Sequence, residues 1–219
     1  MYIYQVERDL LQRAIKNEAR ALQGKILDVG SGAHPRYRDH FSHVDQYLTL
    51  DIEASAQPDI VGSAETIPVS EQTFQGILCN QVIGDLIHPI RAIQEFYRVL
   101  APGGAVLLTE GFMNELHGEP RDYWRFTTHG MRALFEESGF VVEKCYLLGG
   151  FATVMVQTAT RFLIDSCALH RRSYVIGRFF SLFFKVSGFI AMKIDAWLSR
   201  HHLGQTFGLI VLIVARKRA

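Results

Sequence analysis

The stretch Lys25-Ile26-Leu27-Asp28-Val29-Gly30-Ser31-Gly32, with Asp51 closing a second apolar run, decides how this chain folds. An apolar strand that runs into a glycine turn lets backbone N–H groups approach a ligand closely. An acid about 20 residues further on can accept both hydroxyls of a ribose. The pattern asks for an adenosine-containing ligand. A dinucleotide fingerprint would place a third glycine at position 35, where a helix packs close under a pyrophosphate, but the sequence here is Gly30-Ser31-Gly32-Ala33-His34-Pro35. Asp28, two residues before the first glycine, would repel a phosphate and suits a ligand with an amino group or a positive charge.

S-adenosylmethionine has both, and from this point the chain resembles the Rossmann-like, class I methyltransferases that use it. Tyr47-Leu48-Thr49-Leu50-Asp51-Ile52 resembles the family's second strand with its ribose-binding acid, and Gly62-Ser63-Ala64-Glu65-Thr66-Ile67-Pro68 its adenine-side loop. Phe74-Gln75-Gly76-Ile77-Leu78-Cys79-Asn80 resembles the fourth strand, and Glu95-Phe96-Tyr97-Arg98-Val99-Leu100-Ala101-Pro102-Gly103-Gly104 the helix and turn before the fifth. The resemblance runs over residues 25–148. It implies an α/β fold: a doubly wound, mostly parallel seven-stranded sheet with helices on both faces, holding S-adenosyl-L-methionine. On that likeness Gly30, Ser31 and Gly32 cradle the methionine end, Asp28 orders the loop or meets the amino group, and Asp51 holds the ribose. Ile52, Ser63 and Ala64 flank adenine, and Asn80 lines the methyl end. Two places depart from the family pattern. Ser63 stands where an acid is usual, and Ile83-Gly84-Asp85 where Leu-Glu-His is usual, which changes the floor of the substrate pocket.

The bulk numbers agree with one globular domain with a full core and an elaboration: 219 residues, a formal charge of +1 and 48% hydrophobic residues. That charge balance gives no clustered basic footprint, so nucleic acid is not expected as a partner. Cys79, Cys145 and Cys167 lack the paired spacing of a zinc site and are expected to be reduced, buried thiols of a cytoplasmic protein. His34, His40, His43 and His88 lack metal-ligand spacing, so no metal is expected and they are assigned to exposed loops. The first nine residues, 1–9, have neither the basic start nor the apolar run of a signal peptide.

Val6, Leu10, Ala14, Ile15 and Leu22 recur at helical spacing, which predicts an amphipathic helix over residues 4–22. Apolar runs at 25–29, 46–51, 74–79 and 105–109 alternate with helical stretches, the strongest at 88–100, as in a parallel sheet. Residues 127–138 read as the next helix, capped by Thr127 or Thr128 and stopped at Gly139. Strands at 141–148 and 207–214 complete the domain, so 1–148 and 206–219 form the methyltransferase part. Between those strands lies an apolar insertion, 149–205. Within it Tyr174 to Leu198 is dense in Phe, Leu, Ile and Val, with a narrow polar stripe of Arg178, Ser181, Lys185, Gly188 and Asp195. Three readings stand: a helical cap on the domain or a homodimer contact, a helix in the membrane interface, and a membrane span, which Lys185 interrupts.

Methyl transfer from a sulfonium needs in-line positioning more than strong acids or bases, because the thioether leaves readily. A base helps when the acceptor must lose a proton. Residues 110–127 gather the densest set of polar and aromatic groups, and His117-Gly118-Glu119-Pro120-Arg121-Asp122-Tyr123-Trp124-Arg125-Phe126-Thr127 resembles the loop signature of one branch of the family. His117 and Tyr123 are the candidate catalytic residues, His117 as general base, while Arg121 or Arg125 could hold an anionic acceptor group. The competing reading pairs Asp122 with Arg125 to pin the loop, packs it with Tyr123, Trp124 and Phe126, and leaves His117 bonded to backbone. The expected activity is methyl transfer to a small-molecule or lipid-like acceptor. The alternative is a catalytically silent protein that binds the cofactor and docks on a partner or membrane. An NAD-dependent oxidoreductase is disfavoured by Pro35 and by the lack of a Tyr-x-x-x-Lys group.

Overall fold

The computed structural model describes residues 3–169, 174–201 and 206–219. Residues 170–173 and 202–205 of the expected insertion, and residues 1 and 2, lie outside the described residues. Seven strands, β1 (Lys25–Val29), β2 (Gln46–Asp51), β3 (Ile60–Val61), β4 (Phe74–Asn80), β5 (Leu100–Gly111), β6 (Phe140–Leu148) and β7 (Ile210–Lys217), form one sheet in the order β3-β2-β1-β4-β5-β7-β6. β1 pairs in parallel with β2 and β4, β2 with β3, and β4 with β5. β7 runs antiparallel to β6: Leu209 N–H donates to Leu148 O at one end, and Arg216 grips Glu143 at the other.

A parallel sheet covered on its faces needs strands that are apolar throughout, and the sequence supplies them. Ile26, Leu27, Val29, Ile77, Leu78, Cys79, Val106, Leu107 and Leu108 are all buried. α2 (Pro89–Val99) starts with proline in its first turn, where no intrahelical N–H is needed, and buries Ala92, Ile93, Phe96 and Val99 at helical spacing. Each such large side chain contributes about 1.5–3 kcal/mol. α3 (Thr128–Glu137) begins at Thr127, whose hydroxyl accepts from Gly130 N–H at 3.0 Å, and the chain leaves it through Gly139 at φ +94°.

Several expectations need correction. The N-terminal helix is shorter than 4–22: α1 (Val6–Glu18) tightens into a 3₁₀ turn, Ala19–Ala21. The β1–β2 and β2–β3 connections carry only 3₁₀ turns, Arg38–Phe41 and Ala54–Ala56, and the β3–β4 connection has no helix, so α-helices alternate with strands only from β4 onward. The last strand is Ile210–Lys217 and not 207–214; Gly208 precedes it, packed against Leu147. Of the three free thiols only Cys79 is buried: Cys145 is half-buried, and Cys167, at the C-terminus of a helix, is exposed. His43 is half-buried with Nε2 3.0 Å from Leu22 O.

Packing divides the chain into two units: Met1–Arg13 with Met113–Glu115 and Leu147–Ile210, and Ala14–Phe112 with Leu116–Tyr146 and Val211–Ala219. The first holds two long helices, α4 (Phe151–Ser166) and α5 (Tyr174–Arg200), where sequence periodicity singled out only the second. Their junction is polar and buried. The Asp195 carboxylate of α5 accepts from the N–H groups of Ala152 (2.8 Å) and Thr153 (2.9 Å) and from the Thr153 hydroxyl, capping the positive end of α4.

Candidate active site

The carboxyl ends of β1, β2 and β4 converge, as parallel-sheet topology requires, and bring the sequence-predicted residues together. Gly30 and Ser31 donate backbone N–H bonds to Leu50 O at 2.8 and 3.3 Å, locking the end of β1 to β2. Gly32 N–H donates to Asp51 Oδ2 at 2.8 Å, and Glu53 N–H to Asp51 Oδ1 at 2.9 Å. The acid after β2 thus shapes the glycine turn directly, and each carboxylate oxygen keeps a lone pair for a ribose hydroxyl. Gly30 and Gly32 have φ of +71° and +60°. A Cβ on Gly30 would stand 2.3 Å from Val82 Cγ2, whereas one on Gly32 would meet nothing within 4 Å, so the turn is tight inward and open outward. That open cradle, with the exposed Ile52 beside Asp51, fits an adenosine held by its ribose.

Asp28 sits lower, buried, and the Tyr47 hydroxyl donates to its Oδ2 at 2.6 Å. Burial pushes its carboxyl up to about 7, against the lowering effect of the Tyr47 bond and of Arg38. Its observed partner is Tyr47, and the glycine turn is ordered by Asp51. On the adenine side Ser63 Oγ accepts from Glu65 N–H at 3.1 Å and Ala64 is buried. The loop is clamped from α2: Ile67 N–H donates to Glu95, and Arg98 donates to Ile67 O, Val69 O and Glu95. Asn80 Oδ1 accepts from Thr109 Oγ1 at 2.8 Å at the tips of β4 and β5. Gln81 follows at φ +56°, and its buried side-chain Nε2 has no hydrogen-bond partner among the described residues. Sequence reasoning passed over Gln81; a glutamine just past a strand that ends at a ligand edge is the signal that could have found it.

The loop after β5 folds onto the turn after β4. Tyr123 and Trp124 N–H groups both donate to Gly84 O, at 3.0 and 3.1 Å, while Gly84 N–H donates to Glu110 at 2.9 Å. Glu110 is buried, and desolvation raises its carboxyl to about 7 although Gly111 and Gly84 N–H groups stabilise the ionised form. Arg125 and Asp122 form a bidentate ion pair at 2.5 and 2.9 Å, which holds the Asp122 carboxyl down at about 2, so these two do pin the loop. His117 N–H donates to Asp122 Oδ2 at 2.8 Å, and His117 Nδ1 lies 3.5 Å from the same oxygen and 3.4 Å from Arg125 Nη2. Asp85, half-buried and raised by desolvation, brings a carboxylate oxygen within 4.8 Å of ligand atoms on His117 and Asp122. Arg125 already neutralises Asp122, which disfavours a metal ion there. Phe126 is buried packing as expected, but Tyr123 and Trp124 are about half exposed and do not pack the loop. Arg121 is exposed. Beside this loop lies a cleft of about 600 Å³, between the start of α2 and α3, lined by Ile87, Pro89, Ile90, Trp124, Phe126 and Leu134 among others.

A family model described as a methyltransferase domain matches residues 2–144, which covers the cradle, the adenine-side loop and the loop after β5. The chain belongs to the methyltransferase-domain family. It is a class I S-adenosylmethionine-dependent methyltransferase, and S-adenosylmethionine is its cofactor. Among solved structures this methyltransferase is similar to the [4+2]-cyclase SpnF, with 19% identity, a TM-score of 0.62, and 96% of this chain and 82% of that one covered. A candidate methyltransferase of Bacillus halodurans shares 19% identity at a TM-score of 0.61, covering 97% of this chain and all of the other. Phosphoethanolamine N-methyltransferase 2 of Haemonchus contortus, solved with S-adenosylhomocysteine, shares 15% at a TM-score of 0.58, covering 97% of this chain and 53% of that one. A sequence search of curated proteins gave no match. At these identities the likeness shows the fold, and the presence of a cyclase among the neighbours illustrates that the fold alone does not choose the reaction partner.

Proposed function

We propose that this methyltransferase acts on a small-molecule acceptor with an apolar, lipid-like portion seated in the cleft between α2 and α3. The cleft carries the reading. Its volume of about 600 Å³ lies in the usual range for small-molecule sites, and its walls are mainly apolar with His88, Arg125 and Thr127 as polar points. When bound, the cofactor supplies an electrophilic methyl group. Gly30, Ser31 and Gly32 hold its methionine end, with Asp28 beneath; Asp51 takes the ribose, Ile52, Ser63 and Ala64 the adenine, and Asn80 lines the methyl end. His117 removes the acceptor's proton, oriented by Asp122 as a base is by its carboxylate partner in other enzymes. Tyr123, exposed beside it, offers a hydroxyl to the acceptor's polar end. The loop His117–Thr127 assigns the chain to the branch of the family that carries that signature. The domain proper is 1–148 with 206–219, the segment 149–205 being an addition to it.

The test supplies methyl-labelled cofactor and fractionated cell extract to the pure protein and follows the label. Label entering organic-extractable small molecules, and reduced uptake by Trp124→Ala without loss of cofactor binding, supports the reading. Label confined to protein, nucleic acid or strongly polar metabolites overturns it.

A further inference from the structure

We infer that α5 is a membrane-interface helix that docks this protein on an anionic lipid surface. At 27 residues α5 is about 40 Å long, and an 18-residue window in it has mean hydropathy 1.6 with only 22% of that window buried. One side is committed within its own unit. Gly177, Phe184, Gly188, Ala191 and Asp195, spaced seven, four, three and four residues apart, are buried. Gly188 is packed so tightly that a Cβ would stand 3.0 Å from Val6, Ser181 Oγ accepts from Tyr4 N–H at 3.0 Å, and Asp195 caps α4. The opposite side is uncovered. Val175, Phe179, Leu182, Phe183, Val186 and Trp197 are each more than half exposed. Isolated exposed apolar residues are ordinary, but a continuous ridge of this size marks an interaction surface.

Charge says what covers it. Arg178, Lys185, Lys193 and Arg200 are all exposed, the one acid of the helix is the buried Asp195, and none of the four cations forms an ion pair among the described residues. At 100° per residue Arg178 and Lys185 share one edge of the apolar arc, while Lys193 and Arg200 rise from within it, toward the C-terminal half of the helix. Their long stems can lie along the ridge while the charged heads reach lipid phosphates. Phe189, Ile190, Lys193, Ile194 and Trp197 frame an apolar recess of about 290 Å³ with Lys193 among its walls, which suits an acyl chain below an anionic headgroup. A second copy of the chain fits less well: face-to-face pairing would gather the cations of both helices with no exposed carboxylate on either to meet them. A span fits less well too, because Lys185 interrupts the run and the buried stripe is already bound to residues 4–6 and α4.

Flotation of the full-length protein with vesicles tests this, using phosphatidylcholine alone or with 30 mol% phosphatidylglycerol. Binding is expected only to the anionic vesicles at low salt, with release in about 0.5 M NaCl. The variant Arg178→Gln/Lys185→Gln/Lys193→Gln should lose on the order of 100-fold in apparent affinity, about fivefold for each surface cation. Phe179→Ser/Phe183→Ser should also release the protein. Both variants change outward side chains, and an unaltered circular dichroism spectrum checks their folding. Equal binding to neutral vesicles, binding that survives loss of the three cations, extraction from membranes only by detergent, or a salt-insensitive dimer with no vesicle binding would each overturn the proposal.

Discussion

Replacing Gly30 by alanine is the sharpest test of the cofactor cradle, because the structure assigns that position two separate costs. The backbone there is left-handed at φ +71°, which costs a residue with a Cβ about 1–2 kcal/mol. The new Cβ would also stand 2.3 Å from Val82 Cγ2, more than an ångström inside van der Waals contact, and forcing room for one carbon in packed surroundings costs about 1–3 kcal/mol. Together Gly30→Ala should lose roughly 2–5 kcal/mol, shared between stability and cofactor affinity according to how far the turn yields. The two costs separate in a double-mutant cycle. Val82→Ala removes both γ-methyl groups and leaves Cβ as the nearest atom at 3.5 Å, so it should rescue the steric part and leave the backbone part. The coupling is expected at about 1–3 kcal/mol, read from urea midpoints and from calorimetry with S-adenosylhomocysteine. A Gly30→Ala protein with wild-type midpoint and affinity, or a coupling below about 0.5 kcal/mol, would refute the geometry of the turn.

Asp51→Ala should weaken cofactor binding by about 1.5–3 kcal/mol, since it removes the bond that shapes Gly32 and, on the proposed reading, the ribose acceptor; wild-type affinity in a folded variant would remove Asp51 from the site. His117→Ala should lower turnover about 100-fold with calorimetric cofactor affinity intact, and normal turnover would leave His117 as a loop-pinning residue only. Glu110 gives a pH signature: its carboxyl is raised by burial from 4.5 to about 7, so the folded protein holds a proton that the unfolded chain has lost. Stability should therefore fall as pH rises from 4.5 through about 7, by about 3 kcal/mol at about 1.36 kcal/mol per pH unit, and level off above. Glu110→Gln should flatten that part of the urea-midpoint profile, and an unchanged profile would count against a buried, protonated Glu110.

Strand runs and turn residues made the sheet legible because a parallel strand buried on both faces has no freedom in composition: Ile26, Leu27, Ile77, Leu78 and Val106 admit little else. The Gly30–Gly32 turn was legible for a related reason, since a left-handed turn at the end of β1 demands glycine. Longer-range partners were not. Nothing in the spacing of Asp28 and Tyr47 announces their bond, which depends on how β1 and β2 align, nor does helical periodicity show that Asp195 turns inward to cap α4. The hydrophobicity of α5 suggested concealment, yet its large residues face outward: periodicity finds a stripe but does not say which side the protein covers.

The departure at Ile83-Gly84-Asp85 and the loop after β5 form one feature. After β4 this chain has Ile83-Gly84-Asp85 in place of the Leu-Glu-His expected from the resemblance, and its loop after β5 carries His117 to Thr127. Gly84 sits between them. A Cβ there would stand 2.9 Å from Glu110 Oε1 and 3.2 Å from Trp124 O, so even an alanine would push the Glu110 carboxylate aside and the loop backbone back by a few tenths of an ångström. Its carbonyl accepts from the Tyr123 and Trp124 N–H groups and its own N–H donates to the Glu110 carboxylate, so the small residue lets Tyr123 and Trp124 dock through their backbone. Docking by backbone leaves the side chains of Tyr123 and Trp124 unspent and exposed, and sets Asp85 near His117 and Asp122. Methyl transfer depends chiefly on how the acceptor is held, and a loop fixed through its backbone can present those side chains to an acceptor without reorganising. A graft of the relatives' Glu-His at 84 and 85 without its own loop should leave the fold of the sheet intact and displace the loop that carries His117.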